Sequence, residues 1–213
     1  MMAASKIREP RQQRSIEKKN KIIEVGFGLL CDQGYHRTTT ADIAKAAGVS
    51  TGIIYSYFED KHDIFVEGLR LFVKKMVQPI YDLFAQYPSG ISLTDKLDEA
   101  TLRHHLSQIT DSIVEGHQIF KNAHREIDAL SNTSEDVSRI MIDFEIQITE
   151  DLEAFLRSVG FESPSLPEKT HIIYNLVENL SHELIFHHHP GLDGDRMRKI
   201  VEDTVIWLLL KED

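Results

Sequence analysis

The chain of 213 residues carries 24 Lys+Arg against 34 Asp+Glu, a formal charge of −10, with 41% hydrophobic residues. That is apolar material enough for one or two cores, while one Cys, six Pro and eleven Gly exclude a disulfide framework, a multi-Cys zinc site and a collagen-like or disordered chain. The opening residues show no apolar signal-peptide core, and the longest apolar run, Val205 to Leu210, is far short of the ~20 residues of a membrane span, so a cytoplasmic protein without membrane contact is expected.

Taken in order, nearly every segment repeats at helical period. Ile16, Ile23, Phe27 and Leu30 share one stripe of a helix over 16–33, which Gly34 ends. Thr39-Thr40-Ala41-Asp42 resembles a capping box, so the next helix starts at Thr39 or Thr40 and carries Ile43, Ala44 and Ala47 on one face. Gly48-Val49-Ser50 is a turn, and Ser50 can cap a third helix over 51–57. Glu59-Asp60 precede a fourth, from Lys61 toward Tyr87, with a kink expected at Pro79. Pro88-Ser89-Gly90 reads as a loop, followed by helices over 93–114, 117–130, 134–159, 167–187 and 194–211. Gly116, Ser131-Asn132-Thr133, the stretch 160–167 and Pro190-Gly191 with Gly194 separate most of them. Sustained period-2 alternation is missing, so the class is all-α with about nine helices.

Charge divides the chain. Residues 1–75 hold 13 Lys+Arg against 9 Asp+Glu, a net of +4, and residues 76–213 hold 11 against 25, a net of −14. The front is the most basic part, with Lys6, Arg8, Arg11, Arg14, Lys18, Lys19 and Lys21 facing only Glu9 and Glu17 before Glu24. Two short helices joined by a Gly-containing turn, braced by a longer one, form a helix-turn-helix unit, whose second helix enters the major groove of DNA. With Ile43, Ala47, Val49, Ile54 and Phe58 turned inward, Thr51, Gly52, Ile53, Tyr55, Ser56 and Tyr57 remain to meet DNA. Hydroxyls can bond phosphates or base edges, Ile53 can touch a thymine methyl, and Lys61 can serve a phosphate as a point charge.

The run Ala47-Gly48-Val49-Ser50, then Gly52, Tyr55, Tyr57-Phe58 and Lys61, together with Gly34-Tyr35 and Thr38-Thr39-Thr40-Ala41-Asp42-Ile43-Ala44, resembles the DNA-binding domain of the tetracycline-repressor (TetR) family. The resemblance covers about 50 residues, from Ile16 to near Leu69, and Ile64 stands where the family usually has Leu. It implies a homodimer with an N-terminal three-helix DNA-binding domain, placed here at 1–60, and a C-terminal ligand-binding and dimerisation domain at 61–213. It implies further that Thr40 contacts phosphate, that Thr51, Gly52, Tyr55 and Tyr57 meet DNA, and that Lys61 is the lysine of the motif. The position of Ser56 varies in the family.

Beyond the motif the residues must speak for themselves. Ile172, Leu176, Leu180 and Leu184 form one row, and Met197, Val201, Thr204 and Leu208 another, while Ile200, Trp207, Leu209 and Leu210 occupy other faces of the last helix. A helix apolar on several sides has more to bury than its own domain absorbs, and an intersubunit four-helix bundle would take it up. The dimer interface is therefore expected at Ile172, Leu176, Leu180, Leu184, Val201, Thr204 and Leu208. Phe72, Met76, Phe84, Phe120, Phe144 and Tyr174 are the candidate pocket for a small-molecule effector, with Tyr81 and Phe155 nearby in composition. Cys31 is expected to be a core thiol. Of the eleven His, His171 shares a stripe with Glu178 and His182, His117 shares one with His124, and His104-His105 are adjacent. Zinc needs three or four converging ligands, but acidic helices also carry His on solvated or packing faces, and no metal and no cofactor is expected. His187 to His189 suit a helix C-terminus.

The expected function is a ligand-responsive transcriptional regulator, a repressor that leaves a two-fold symmetric double-stranded operator when its effector binds. An architectural DNA-binding protein is the alternative. An enzyme with a DNA-binding head is less favoured, since no Ser/His/Asp order or phosphate-binding glycine loop is visible.

Overall fold

The computed structural model describes residues 13–86, 99–187 and 189–211. The basic residues Lys6, Arg8 and Arg11, the Pro88-Ser89-Gly90 loop, the start of the helix expected from 93, and His188 lie outside them. Among the described residues there are nine helices and no strand. They are α1 (Gln13–Gln33), α2 (Thr40–Ala47), α3 (Thr51–Ile54), α4 (Lys61–Phe84), α5 (Glu99–Ile119), α6 (Lys121–Ser131), α7 (Glu135–Ser158), α8 (Leu166–Ile185) and α9 (Gly194–Leu210). None is long and apolar enough to cross a membrane.

The helices pack as two compact units, one of residues 1–75 with 122–142, the other of 76–121 with 143–213. In the first unit Ile22, Ile23, Phe27 and Leu30 of α1 meet Ile43, Ala44 and Ala47 of α2, Ile54 and Phe58 around α3, and Ile64, Phe65 and Leu69 of α4, all at most 9% exposed. Phe27 lies 5.3 Å from Phe65 and 5.5 Å from Phe72, ring centre to ring centre. Two glycines set how closely α1 and α4 approach. A Cβ on Gly26 would stand 2.6 Å from Cγ2 of Ile64, and one on Gly68 would overlap Cβ of Phe27. Cys31 is buried here, and that burial, with Asp32 and Glu126 adding negative charge nearby, pushes its thiol up to about 12. It is an inert core thiol, in keeping with its place beside the apolar stripe. α6 closes the unit: the Tyr35 N–H donates to Glu126 Oε2 at 2.9 Å, and the Asn122 amide donates to Asp32 Oδ1 at 3.1 Å.

In the second unit α5, α8 and α9 enclose Leu106, Ile173, Val205 and Ile206. A neighbouring cluster of Leu156, Val159, Phe161 and Leu166 joins the end of α7 to the start of α8. Arg198 of α9 reaches α5, donating to Asp111 Oδ1 at 2.6 Å and to the Ser107 carbonyl at 2.9 Å. Arg103 of α5 returns the grip on Asp203.

Several expected boundaries moved. Gly116 was expected to end a helix but lies inside α5, and the break falls at Phe120. Glycine lowers helix stability by about 1 kcal/mol without forbidding it, and the flanking Leu106, Thr110 and His117 are buried on one face. His117 and His124, expected on one face of a single helix, therefore belong to α5 and α6. α4 stops at Phe84 with Pro79 inside it. The regular part of α3 is only four residues, after which turn bonds carry the chain on: Tyr57 N–H to the Ile54 carbonyl at 2.9 Å and Phe58 N–H to the same carbonyl at 3.0 Å.

Candidate nucleic-acid interface

The helix-turn-helix is fixed by local bonds legible in the sequence and by long-range ones that are not. Thr39 is the N-cap of α2, with extended backbone (φ −102, ψ 159), and the capping box is complete. The Asp42 N–H donates to Thr39 Oγ1 at 3.2 Å, and the Thr39 N–H and hydroxyl donate to Asp42 Oδ2 at 2.9 and 2.5 Å. These bonds, with Lys45 adding a little, hold the Asp42 carboxyl below the usual aspartate range. Thr40 is then the first helical residue, where backbone N–H groups have no intrahelical acceptor and an anion is favoured. Gly48 ends α2 in the left-handed region (φ 72), and the Val49 N–H returns to the Ala44 carbonyl at 2.9 Å. Ser50 occupies the N-cap of α3 but contributes no side-chain cap bond.

On the segment that follows, Thr51, Gly52, Tyr55 and Ser56 are exposed, Ile53 and Tyr57 half-buried, and Ile54 and Phe58 buried. Tyr55 keeps 48% of its surface open, which for a tyrosine beside a buried core is a side chain directed outward. The Ser56 hydroxyl donates to the Ile53 carbonyl at 2.7 Å. Tyr57 is braced instead: its hydroxyl lies 2.6 Å from Ser15 Oγ on α1. Lys61 is tied most firmly. Its ammonium donates to the carbonyls of Tyr35 at 2.6 Å and Thr38 at 2.9 Å and sits 4.5 Å over the Tyr35 ring. It thus locks the loop between α1 and α2, with one of three donors left for a phosphate. Ser15, the two loop carbonyls and Glu126 were not found from the sequence, because each partner lies 23 to 91 positions away. No periodicity encodes such pairs.

The other expected sites fare unevenly. Phe72 is 7% exposed and packs on Phe27 in the first unit. Met76, Phe84, Phe120, Phe144 and Tyr174 are half-buried in the second unit. Phe84 stacks on Phe155 at 4.1 Å, and Tyr81 beside it donates to Asp151 Oδ2 at 2.5 Å; burial first, and then this bond to a carboxylate, push its phenol up to about 12. Burial, with Glu178 and Glu145 close by, also raises the Tyr174 phenol. Among the expected dimer residues Leu180 is only 2% exposed, filled in by its own unit, and is withdrawn from the interface. Leu176, Val201 and Leu208 likewise pack on the core of α5, α8 and α9. Leu184 and Thr204 are half-buried, and Ile172 is 46% exposed. The apolar surface left open on α9 belongs to Ile200 at 64%, Trp207 at 55% and Leu210 at 55%.

Residues 22–67 match the model of the bacterial regulatory proteins of the tetR family. Over 54 residues the chain is 50% identical to the HTH-type transcriptional regulator HbdR of Aromatoleum sp. (strain CIB), covering 25% of this chain and 24% of that protein. Over 64 residues it is 38% identical to the fatty acid metabolism regulator protein of Bacillus subtilis, covering 28% and 33%. The matched stretch thus spans a quarter to a third of these relatives. Solved structures resemble the chain over far more of its length: a TetR-family transcriptional regulator from Mesorhizobium loti has a TM-score of 0.71 at 16% identity, covering 93% of this chain and 98% of its own. A transcriptional regulator from Saccharomonospora viridis, solved with choline, has 0.64 at 20%, covering 89% and 96%. At such identities the likeness is one of fold, and it extends through the C-terminal helices.

Proposed function

We propose, from the likeness of its N-terminal segment to the bacterial regulatory proteins of the tetR family, that the chain is a DNA-binding transcriptional regulator of that family, working in the cytoplasm as a homodimer. The observation that carries this reading is the row of Thr51, Gly52, Tyr55 and Ser56, exposed on a segment whose opposite face, Ile54 and Phe58, is locked into the core. Residues 1–60 read the operator: Thr40 meets a phosphate at the start of α2, Thr51, Gly52, Ile53, Tyr55 and Ser56 face the groove, Tyr57 braces that segment against α1, and Lys61 locks the loop between α1 and α2. Residues 61–213 hold the effector and the partner subunit. Ile172, Leu184, Thr204 and the open Ile200 and Trp207 form the dimer face, which matches a two-fold symmetric operator.

A repressor mechanism follows if the effector prefers the form that cannot bind DNA, since a ligand shifts an equilibrium only by its differential affinity. Met76, Phe84, Phe120, Phe144 and Tyr174 line its pocket, and α4, continuous from Lys61 to Phe84, carries the response. The relatives named above are regulators, which leaves the enzyme reading without support.

The test is selection of duplexes from a random pool by the full-length protein. Enrichment of one two-fold symmetric sequence, with Thr51→Ala/Tyr55→Ala weakening it at least tenfold at fixed salt, is expected; each lost base contact removes about 1–3 kcal/mol. Equal binding to all duplexes, with a salt slope alone, would instead mark an architectural protein.

A further inference from the structure

α5 brings His117 to Glu178 and His182, which share a stripe of α8 that the sequence left apart from His117. Nδ1 of His117 lies 2.8 Å from the Ile113 carbonyl oxygen. A carbonyl only accepts, so Nδ1 carries the proton, and in the neutral ring Nε2 is left with its lone pair. That Nε2 faces Glu178 Oε1 at 3.1 Å. The same carboxylate oxygen lies 3.4 Å from Nε2 of His182, one turn further along α8. The three donor atoms lie within 4.8 Å of one another. Two ring nitrogens converging on a carboxylate oxygen call for a positive centre among them. A proton gives one such centre and creates a buried imidazolium, since the His117 side chain is only 1% exposed. A metal ion engages all three atoms at once.

The surroundings fit the second choice. The Nδ1–H to carbonyl bond of His117 is the kind that orients metal-bound imidazoles and fixes their tautomer. Phe186 lies 5.3 Å from the His182 ring and 6.4 Å from that of His117, an apolar wall beside the donors. The Lys121 ammonium donates to the Ile185 carbonyl at 2.9 Å and lies 5.7 Å from the centre of the Phe186 ring. His182 and Glu178 keep 27% and 28% side-chain exposure, which leaves a way in for an ion.

We propose that His117, Glu178 and His182 form a binding site for a divalent first-row transition-metal ion of the zinc type. The site stands on geometry within the second unit and holds whether or not the chain reads DNA. An exposed trio, Glu183 with His187 and His189, serves as the internal comparison, its imidazoles being 55% and 58% exposed.

The experiment titrates chelator-stripped full-length protein with zinc chloride and, separately, cobalt chloride, read by calorimetry, thermal unfolding and the visible cobalt spectrum. The expected result is one tight ion per chain, a raised melting temperature and a tetrahedral cobalt spectrum. Glu178→Gln and His182→Ala, both at partly exposed positions, are expected to weaken binding about 100-fold or more; far-UV circular dichroism checks that they fold. His187→Ala/His189→Ala is expected to leave the tight ion in place. Absence of tight binding by the wild type, or its loss only in the His187→Ala/His189→Ala protein, would overturn the proposal. The first of these outcomes leaves the three groups as a proton-mediated ion pair.

Discussion

Single side chains decide how firmly the helix-turn-helix segment is held. Gly68 faces the Cβ of Phe27, an atom that cannot swing aside as a side-chain tip could. Gly68→Ala is therefore expected to destabilise the N-terminal unit by about 1–3 kcal/mol, seen as a lower denaturation midpoint. The capping box has its own signature in pH. Asp42 titrates below its ordinary range in the folded chain, so its contribution is present above that range and is lost as the pH falls through the lowered value. Asp42→Asn should remove that part of the acid limb in a stability–pH profile, and Thr39→Ala should cost about 1 kcal/mol at neutral pH. The capping box, the Gly34 and Gly48 stops and the inward Ile43, Ala47, Ile54 and Phe58 were legible because each depends on neighbours within a few positions. The role of Lys61 was legible only by type. Its charge suggested a phosphate, whereas its position over Tyr35 makes it a lock for two carbonyls. Charge is visible in a sequence, but the acceptor it finds across a fold is not.

At the scale of helices, the same limit applies to the proposed dimer face. Apolar rows on α8 and α9 were correctly recognised, yet a row does not state which side meets its own core. Val201 and Leu208 turn inward, and Ile200, Trp207 seven positions further along, and Leu210 remain open. Ile200→Glu/Trp207→Glu is expected to convert a dimer into a monomer by sedimentation or light scattering, with the α-helical signal retained. If the double variant stays dimeric, the interface lies elsewhere. Gly116 teaches the companion lesson. A glycine is a weak breaker when the residues around it have a face to bury, so α5 continues to Ile119 and delivers His117 to α8.

Across the whole chain, the formal −10 misleads until it is divided. A +4 segment carries the proposed DNA-reading residues and a −14 remainder carries the rest. The negative remainder is expected to discourage any other surface from settling on phosphate. Neutralising several exposed carboxylates there, such as Glu135, Glu150 and Glu168 to Gln, should raise non-specific duplex binding at low salt while leaving the preference for the selected operator intact. Unchanged non-specific binding would remove that orienting role.

The N-terminal unit is not contiguous in the chain, since it takes in residues 122–142 and the Tyr35 N–H finds its acceptor on Glu126. Order of synthesis then matters. When the ribosome has released the first 75 residues, α1 to α3 and the start of α4 can associate through short-range contacts, but α6 has not yet been made. The nascent unit must wait for dozens of further residues before its last helix arrives. A fragment ending at Lys75 should accordingly unfold at a lower temperature than the same residues in the full chain, and the complete unit should be acquired only late in translation.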